Sequence, residues 1–338
     1  MPIRFLFVLY ALLFFPATLY ADSLSLSGQA SSSLSYKDKG EEKSSVGLRY
    51  IPEVSANKTL SDEINIDALL SAKEYTSAPL DSLDMLDVNE ELKLYRAWLR
   101  LSTDQSELRA GRQKINFGPA KILRSLRWFD QIDPEDPLSL TDGVDALLLR
   151  HYFLDNSNIW LWGIDGNDNA KGVEIYKSDE NKVEYGGRYQ FNQPWCEIGL
   201  SYNQRDVDKE HWDEINDETL KNGEEHRYAI DGQFDIIIGA WFEAVAEQTK
   251  INSKKDEWRD LLTIGADYTL YQGIYILCEH SIQSIGQKID STDEQSKLSA
   301  LSLSYSFGMI DSIRGIYYHD WRMEKSSYYA DWQRTYDN

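Results

Sequence analysis

The sequence predicts an all-β membrane protein, a transmembrane antiparallel up-and-down β-barrel of about sixteen strands that follows an N-terminal export signal. Three observations carry this: an apolar leader, period-two alternation in segment after segment, and connections that alternate between long and short.

The leader comes first. Met1 to Ala21 holds one charged residue, Arg4, then an apolar run from Phe5 to Phe15, then Pro16-Ala17-Thr18-Leu19-Tyr20-Ala21. This is the n-, h- and c-region order of a secretory signal. The run is too short for a membrane-crossing helix, which needs about 20 apolar residues. Residues 1–21 are therefore read as a signal peptide cleaved near Ala21, and residues 22–338 as one barrel domain.

Alternation is clearest at Leu262, Ile264, Ala266, Tyr268 and Leu270, interleaved with Thr263, Gly265, Asp267 and Thr269. Leu301, Leu303, Tyr305 and Phe307 repeat it against Ser302, Ser304 and Ser306, and Tyr228, Ile230, Gly232 and Phe234 repeat it against Arg227, Ala229, Asp231 and Gln233. Each is an amphipathic strand. A soluble sandwich has such strands too, so the connections must decide. Tight turns are expected near 56–58, 103–105, 155–156, 192–193, 237–239, 271–273 and 308–309. Long polar segments at 37–44, 76–89, 117–142, 165–182, 206–225, 251–258, 286–297 and 322–326 fall between them. Short turns at one end and long loops at the other are the outer-membrane pattern, which places the protein in the bacterial outer membrane after export.

Composition agrees. There are 21 Tyr, 10 Trp and 11 Phe, as strands and interfacial aromatic girdles require. A net charge of -21 excludes nucleic acid as a partner, because such binding needs cations against phosphates. The expected partners are outer-membrane lipids, lipopolysaccharide and a small-molecule or oligosaccharide solute; oligomeric state is left open, and no cofactor is implied. Cys196 and Cys278 fall in different strands and are read as free thiols rather than a disulfide framework. The five histidines, His151, His211, His226, His280 and His319, sit in no catalytic motif, so an enzyme is not expected.

The third long loop is the most informative. Pro119 to Phe129 opens with Pro and places apolar residues at helical spacing, which predicts a short helix. Ahead of it stands Gly111-Arg112-Gln113, with Phe117-Gly118 a few residues on. That stretch resembles a segment of the alginate-export and related porin-like outer-membrane families, over about residues 90–190, and the resemblance implies a solute channel. In trimeric porins the third loop folds into the lumen; by that resemblance Lys121, Arg124 and Arg127 face the solute. The rival reading is an ordinary loop helix with solvated bases. The chain also ends Trp332-Gln333-Arg334-Thr335-Tyr336-Asp337-Asn338 without the terminal aromatic usual in outer-membrane barrels. A further hairpin beyond Asn338 would bring the count to eighteen.

Arg96 and Arg100 share one face of a strand, with Arg109 on the next. A charge on the lipid face near the bilayer centre costs about 2–4 kcal/mol, so these side chains are expected to point into the pore. Strict alternation turns Arg112 away from Arg109, and only a bulge would bring it inwards. Such a wall favours anionic solutes; the rival reading is ion pairing with Glu243, Glu247 or Asp267 for stability alone. Asp130, Asp133 and Asp136 would be the ligands of a Ca²⁺ ion, but their spacing is not that of an EF-hand and Asp-Pro pairs make turns. No metal is assigned. The acids Asp206, Asp208, Glu210, Asp213, Glu214, Asp217, Glu218, Glu224 and Glu225 read as a solvated extracellular loop. The functional expectation is a channel for small hydrophilic solutes, with polysaccharide export or binding of the alginate-export type, or a secreted carbohydrate-binding protein, as alternatives.

Overall fold

A computed structural model describes residues 21–36, 44–79, 89–136, 140–166, 170–172, 174, 176–208, 222–251, 255–288 and 293–335. The expected leader through Tyr20, the acidic stretch 209–221 and the terminal residues 336–338 lie outside the described residues. The chain divides into two units, residues 1–114 with 143–149, and residues 115–142 with 150–338.

In the first unit β1 (Ser23–Tyr36), β2 (Ser44–Ser61), β3 (Ile64–Pro79), β4 (Asn89–Ser102) and β5 (Ser106–Gln113) pair antiparallel, each with the next. Most of β6 (Val144–Tyr152) also belongs here. The tight turn expected at 56–58 is instead the middle of β2. Asn57 pairs with Asp67 and hydrogen-bonds its side chain at 2.8 Å, and the chain turns only at Asp62 and Glu63. A polar residue with a cross-strand partner interrupts the apolar pattern without interrupting the strand.

In the second unit the strands are β7 (Asn158–Ile164), β8 (Lys177–Ser178), β9 (Glu184–Gln193), β10 (Cys196–Asp208), β11 (Asn222–Asp235), β12 (Gly239–Ile251), β13 (Lys255–Thr269), β14 (Ile274–Gly286), β15 (Glu294–Phe307), β16 (Asp311–Asp320) and β17 (Lys325–Arg334). From β9 to β17 every neighbour in sequence is an antiparallel neighbour in space. Among the described residues there are seventeen strands, and the two-residue β8 accounts for the difference from the expected sixteen. Among the described residues no register joins β17 to β1. The long-short rhythm holds to β12. It weakens later, where β12 ends at Ile251 and β13 begins at Lys255.

The faces are inverted relative to a soluble protein. Leu200, Tyr228, Ile230, Leu262, Ile264, Leu303 and Tyr305 are exposed, whereas Arg205, Arg227, Glu243, Glu247, Thr263 and Glu279 from the same or adjacent strands are buried. A soluble sandwich would bury the apolar set. A sheet with lipid on one side keeps the apolar set outward. Cys196 is buried, Cys278 is exposed, and both are free thiols.

Among the described residues there is no helix, and the short helix expected over 119–129 is absent. The reason is where the backbone donors go. Ala120, Ser125 and Leu126 give their N–H groups to the Glu243 carboxylate at 3.0, 2.6 and 2.8 Å. Lys121, Ile122 and Leu123 give theirs to Glu279 at 2.7, 2.9 and 2.5 Å. Two carboxyl groups that each gather three N–H donors satisfy this backbone better than a single helical turn, whose nucleation is unfavourable in any case.

Candidate functional site

The second unit's polar face is built around that irregular segment. Glu243 on β12 pairs in register with Thr263 on β13, which pairs with Ser281 on β14. Alternation points Glu243, Thr263 and Glu279 to one face, and the segment lies across it. Thr263 fills the space between the carboxylates, giving its hydroxyl hydrogen to the Leu123 carbonyl at 2.6 Å and meeting the Ser125 hydroxyl at 2.8 Å. Trp241 adds an indole N–H to Glu279 at 3.0 Å. Gly118 has φ +92° and lies against the Glu243 carboxylate, so a side chain there would both strain the backbone and displace the acceptor.

An aromatic cluster anchors the two ends of the segment. Phe117 stacks on Trp162 with centroids 5.7 Å apart and meets Trp128 edge-on at 5.6 Å, while Phe129 meets Trp162 at 5.5 Å. Trp128 is fully buried, and the Trp162 indole N–H donates to Asn203 at 2.8 Å. Arg188 lies over Phe117 at 5.1 Å and is held by both oxygens of Asp231. Aromatic pairs of this geometry add about 0.5–1.5 kcal/mol each beyond the area they bury.

The three cations expected in the segment part company. The Lys121 ammonium reaches Asp267 at 2.9 Å and the Tyr275 hydroxyl at 3.2 Å, and lies 4.9 Å from the centre of the Trp241 ring. Its side chain keeps 46% of its exposure. Burial alone would lower its pKa, but the hydrogen bonds to Asp267 and Tyr275 outweigh this and raise it. Arg124 is buried and gripped by both oxygens of Asp130. Arg127 is also largely covered, its pKa lowered by burial and then by Arg124. Of the three, only Lys121 presents substantial charge to solvent.

The aspartates do not gather round an ion. Asp130 is taken by Arg124, and Asp133 caps its own turn, accepting the Glu135 N–H at 2.8 Å. Among the described residues no group of His, Cys, Asp or Glu has metal-holding geometry.

Farther along the second unit's face lies a buried ion-pair ladder. Arg205 donates to both oxygens of Glu225 at 2.7 and 3.1 Å, and Arg227 donates to the same carboxylate at 2.6 Å. Glu174, from the connection between β7 and β8, reaches Arg205 at 3.3 Å and Arg227 at 3.0 Å. Arg259 pairs with Glu247, and Lys171 with Glu184. Alternation finds Arg227, Glu243, Glu247 and Glu279 as inward residues, but Glu225, expected in a solvated loop, is buried on β11 because Arg205 and Arg227 claim its carboxylate, and nothing local identifies Glu174 as their counterpart.

In the first unit Arg100 and Arg109 are direct cross-strand partners, in one row with Asp67. Arg100 donates to Asp67 at 3.0 and 2.8 Å, and both arginines lie near Glu107, at 3.5 and 3.6 Å. Arg109 lies over the Trp98 ring at 4.7 Å. Arg96 is buried, stacked 3.8 Å from the centre of the Tyr95 ring, and donates to the Tyr95 carbonyl at 2.6 Å. Arg112 stands apart: it lies opposite Ala97, outside the Arg100–Arg109 row, and pairs with Asp145 at 2.5 Å. Gly111, at φ +114° and at a place where a side chain would run into the Ala97 carbonyl, supplies the irregularity just before it. Gln113 is fully buried and donates to the Ala146 carbonyl at 2.9 Å. The Gly-Arg-Gln and Phe-Gly pieces therefore each carry a specific backbone or packing duty.

The sequence matches no protein-family model and no curated protein. Solved structures do resemble it. A loop-deleted OmpT, an outer membrane protein of Vibrio cholerae, aligns at TM-score 0.58 and 13% identity over 93% of this chain and 99% of its own. An anion-selective porin from Comamonas acidovorans aligns at TM-score 0.56 and 12% identity, covering 92% of this chain and 96% of that one. Salmonella typhi OmpF, solved with daunomycin, aligns at TM-score 0.57 and 10% identity, covering 92% and 97%. The chain has the fold of the outer-membrane porins.

Proposed function

We propose that this protein is a channel of the bacterial outer membrane, a sheet closed into a barrel through which small hydrophilic solutes diffuse, with anionic solutes favoured. The observation that carries the reading is the segment 115–126, seated by six backbone N–H groups on two carboxylates of the polar face. A chain segment fixed across the inside of a wide sheet narrows the path without closing it. The exposed apolar residues of the opposite face then meet outer-membrane lipid and lipopolysaccharide. Residues 1–21 serve as the export signal and 22–338 form the barrel domain.

In this reading Lys121 of the second unit and, separately, Arg100 and Arg109 of the first offer charge to the solute, because each keeps solvent contact while being oriented by an acid. In the first unit Arg96 orients the wall from behind its Tyr95 stack and Arg112 holds Asp145, and in the second unit Arg124 and Arg127 shape the backbone of the segment 115–136. Single-channel recording in planar bilayers tests the proposal: stepwise conductance is expected, and folded protein that never conducts would sink it. Arg100→Glu and Lys121→Glu should each shift selectivity towards cations, and an unchanged reversal potential would remove these residues from the path.

A further inference from the structure

We propose that Glu174 is a tethered anion occupying a two-arginine carboxylate site in the wall, and that a solute carrying carboxylates competes with it for Arg205 and Arg227. This rests on the channel reading and names a solute class for it.

The argument is one of charge and origin. Arg205, Arg227, Arg259 and Lys171 face Glu174, Glu225, Glu247 and Glu184, with every one of these side chains almost fully buried. Lys171 is matched by Glu184 and Arg259 by Glu247. That leaves two guanidiniums, Arg205 and Arg227, against Glu225 and Glu174. Glu225 belongs to β11 and cannot leave without the strand. Glu174 is supplied by a connection, and its carboxylate bridges Arg205 at 3.3 Å and Arg227 at 3.0 Å. Without it Arg205 and Arg227 keep Glu225 and, 3.9 Å from Arg227 and shared with Arg259, Glu247, which leaves the buried cluster one positive charge in excess. An excess buried cation is costly unless an anion replaces the one that left.

A second observation points the same way. Arg227 is buried, yet its Nη1 has no hydrogen-bond partner. A guanidinium offers five N–H donors suited to planar carboxylates, and this one has a donor in reserve where an anion already sits. The same geometry that holds Glu174 would hold a free carboxylate.

Two measurements test this. In single-channel recordings Glu174→Gln should lower the cation-to-anion permeability ratio about twofold, and sodium succinate should block the variant at concentrations that leave the wild-type current unchanged. Equal ratios and equal succinate responses would make Glu174 a structural ion pair only and overturn the proposal. The second measurement uses folded wild-type protein and needs neither the variant nor conduction. Succinate, compared with chloride at equal ionic strength, should speed tryptic cleavage after Lys171 and Lys177 by displacing the Glu174 carboxylate. Equal cleavage would overturn the proposal, whereas wild-type protein that never conducts would overturn the channel reading instead.

Discussion

On the first unit's polar face, Arg100 and Arg109 pair with Asp67 and Glu107 while keeping 32% and 16% of their side-chain exposure. On the second unit's face, Arg205 and Arg227 pair with Glu174 and Glu225 at essentially none. The residue types are the same and the alternation that turns them inward is the same. The difference is what covers them. In the second unit the connection 115–136, and Lys171 and Glu174 from the connection between β7 and β8, lie on the face and bring their own groups into the pairing. Partly exposed pairs of the first kind contribute little to stability, whereas fully desolvated pairs of the second kind act as latches for chain segments.

The largest effect that would sharpen this contrast is expected for Arg227→Met. It strips Glu174 and Glu225 of a shared buried partner and should cost about 3–5 kcal/mol, read as a lowered urea midpoint for protein folded in detergent. A loss no greater than that of a surface variant would contradict the latch reading. Next comes Glu243→Ala, which leaves the N–H groups of Ala120, Ser125 and Leu126 without their acceptor and should weaken the seating by about 3 kcal/mol. New tryptic cuts after Lys121, Arg124 and Arg127 in the folded protein would report release. Glu243→Gln, which keeps one acceptor oxygen, should show fewer.

Arg100→Ala supplies the opposing arm. With a third of its side chain exposed, its removal should cost less than about 1 kcal/mol, while conductance measurements show altered selectivity. A stability loss matching that of Arg227→Met would erase the distinction between the two faces. The smallest effect concerns Glu135, whose carboxyl is pushed up by burial and then by Asp133, with Arg314 opposing. The docked segment thus holds this proton more tightly than a released one. Docking gains from it below the ordinary Glu range, and the gain is lost as pH rises through the raised value. Hydrogen exchange at residues 130–136, corrected for intrinsic rates, should show protection declining over that window, and Glu135→Gln should flatten the trend.

Much of this was legible in the chain. The inward or outward assignment of Arg227, Glu243, Thr263 and their neighbours follows from a period of two, and the run of short turns located most strand ends. The errors are instructive. Asn57 resembles a turn because it breaks an apolar run, yet it sits opposite Asp67, which satisfies it. Residues 119–129 have the spacing of a helix, yet their N–H groups meet carboxylates more than a hundred positions away in the chain. Arg112 stands outside the Arg100–Arg109 row, as strict alternation requires, but its partner Asp145 lies across an intervening loop.

The sequence alone therefore determined which face each strand residue takes, because alternation is a property of neighbouring residues and the pleat. Only the tertiary structure decided which inward charge meets which. Those choices depend on register across strands and on where two long connections settle, and local pattern holds no record of either. That is why Glu243 and Glu279 proved to be seats for backbone N–H groups, and why two wall arginines hold an anion from a connection rather than facing solvent.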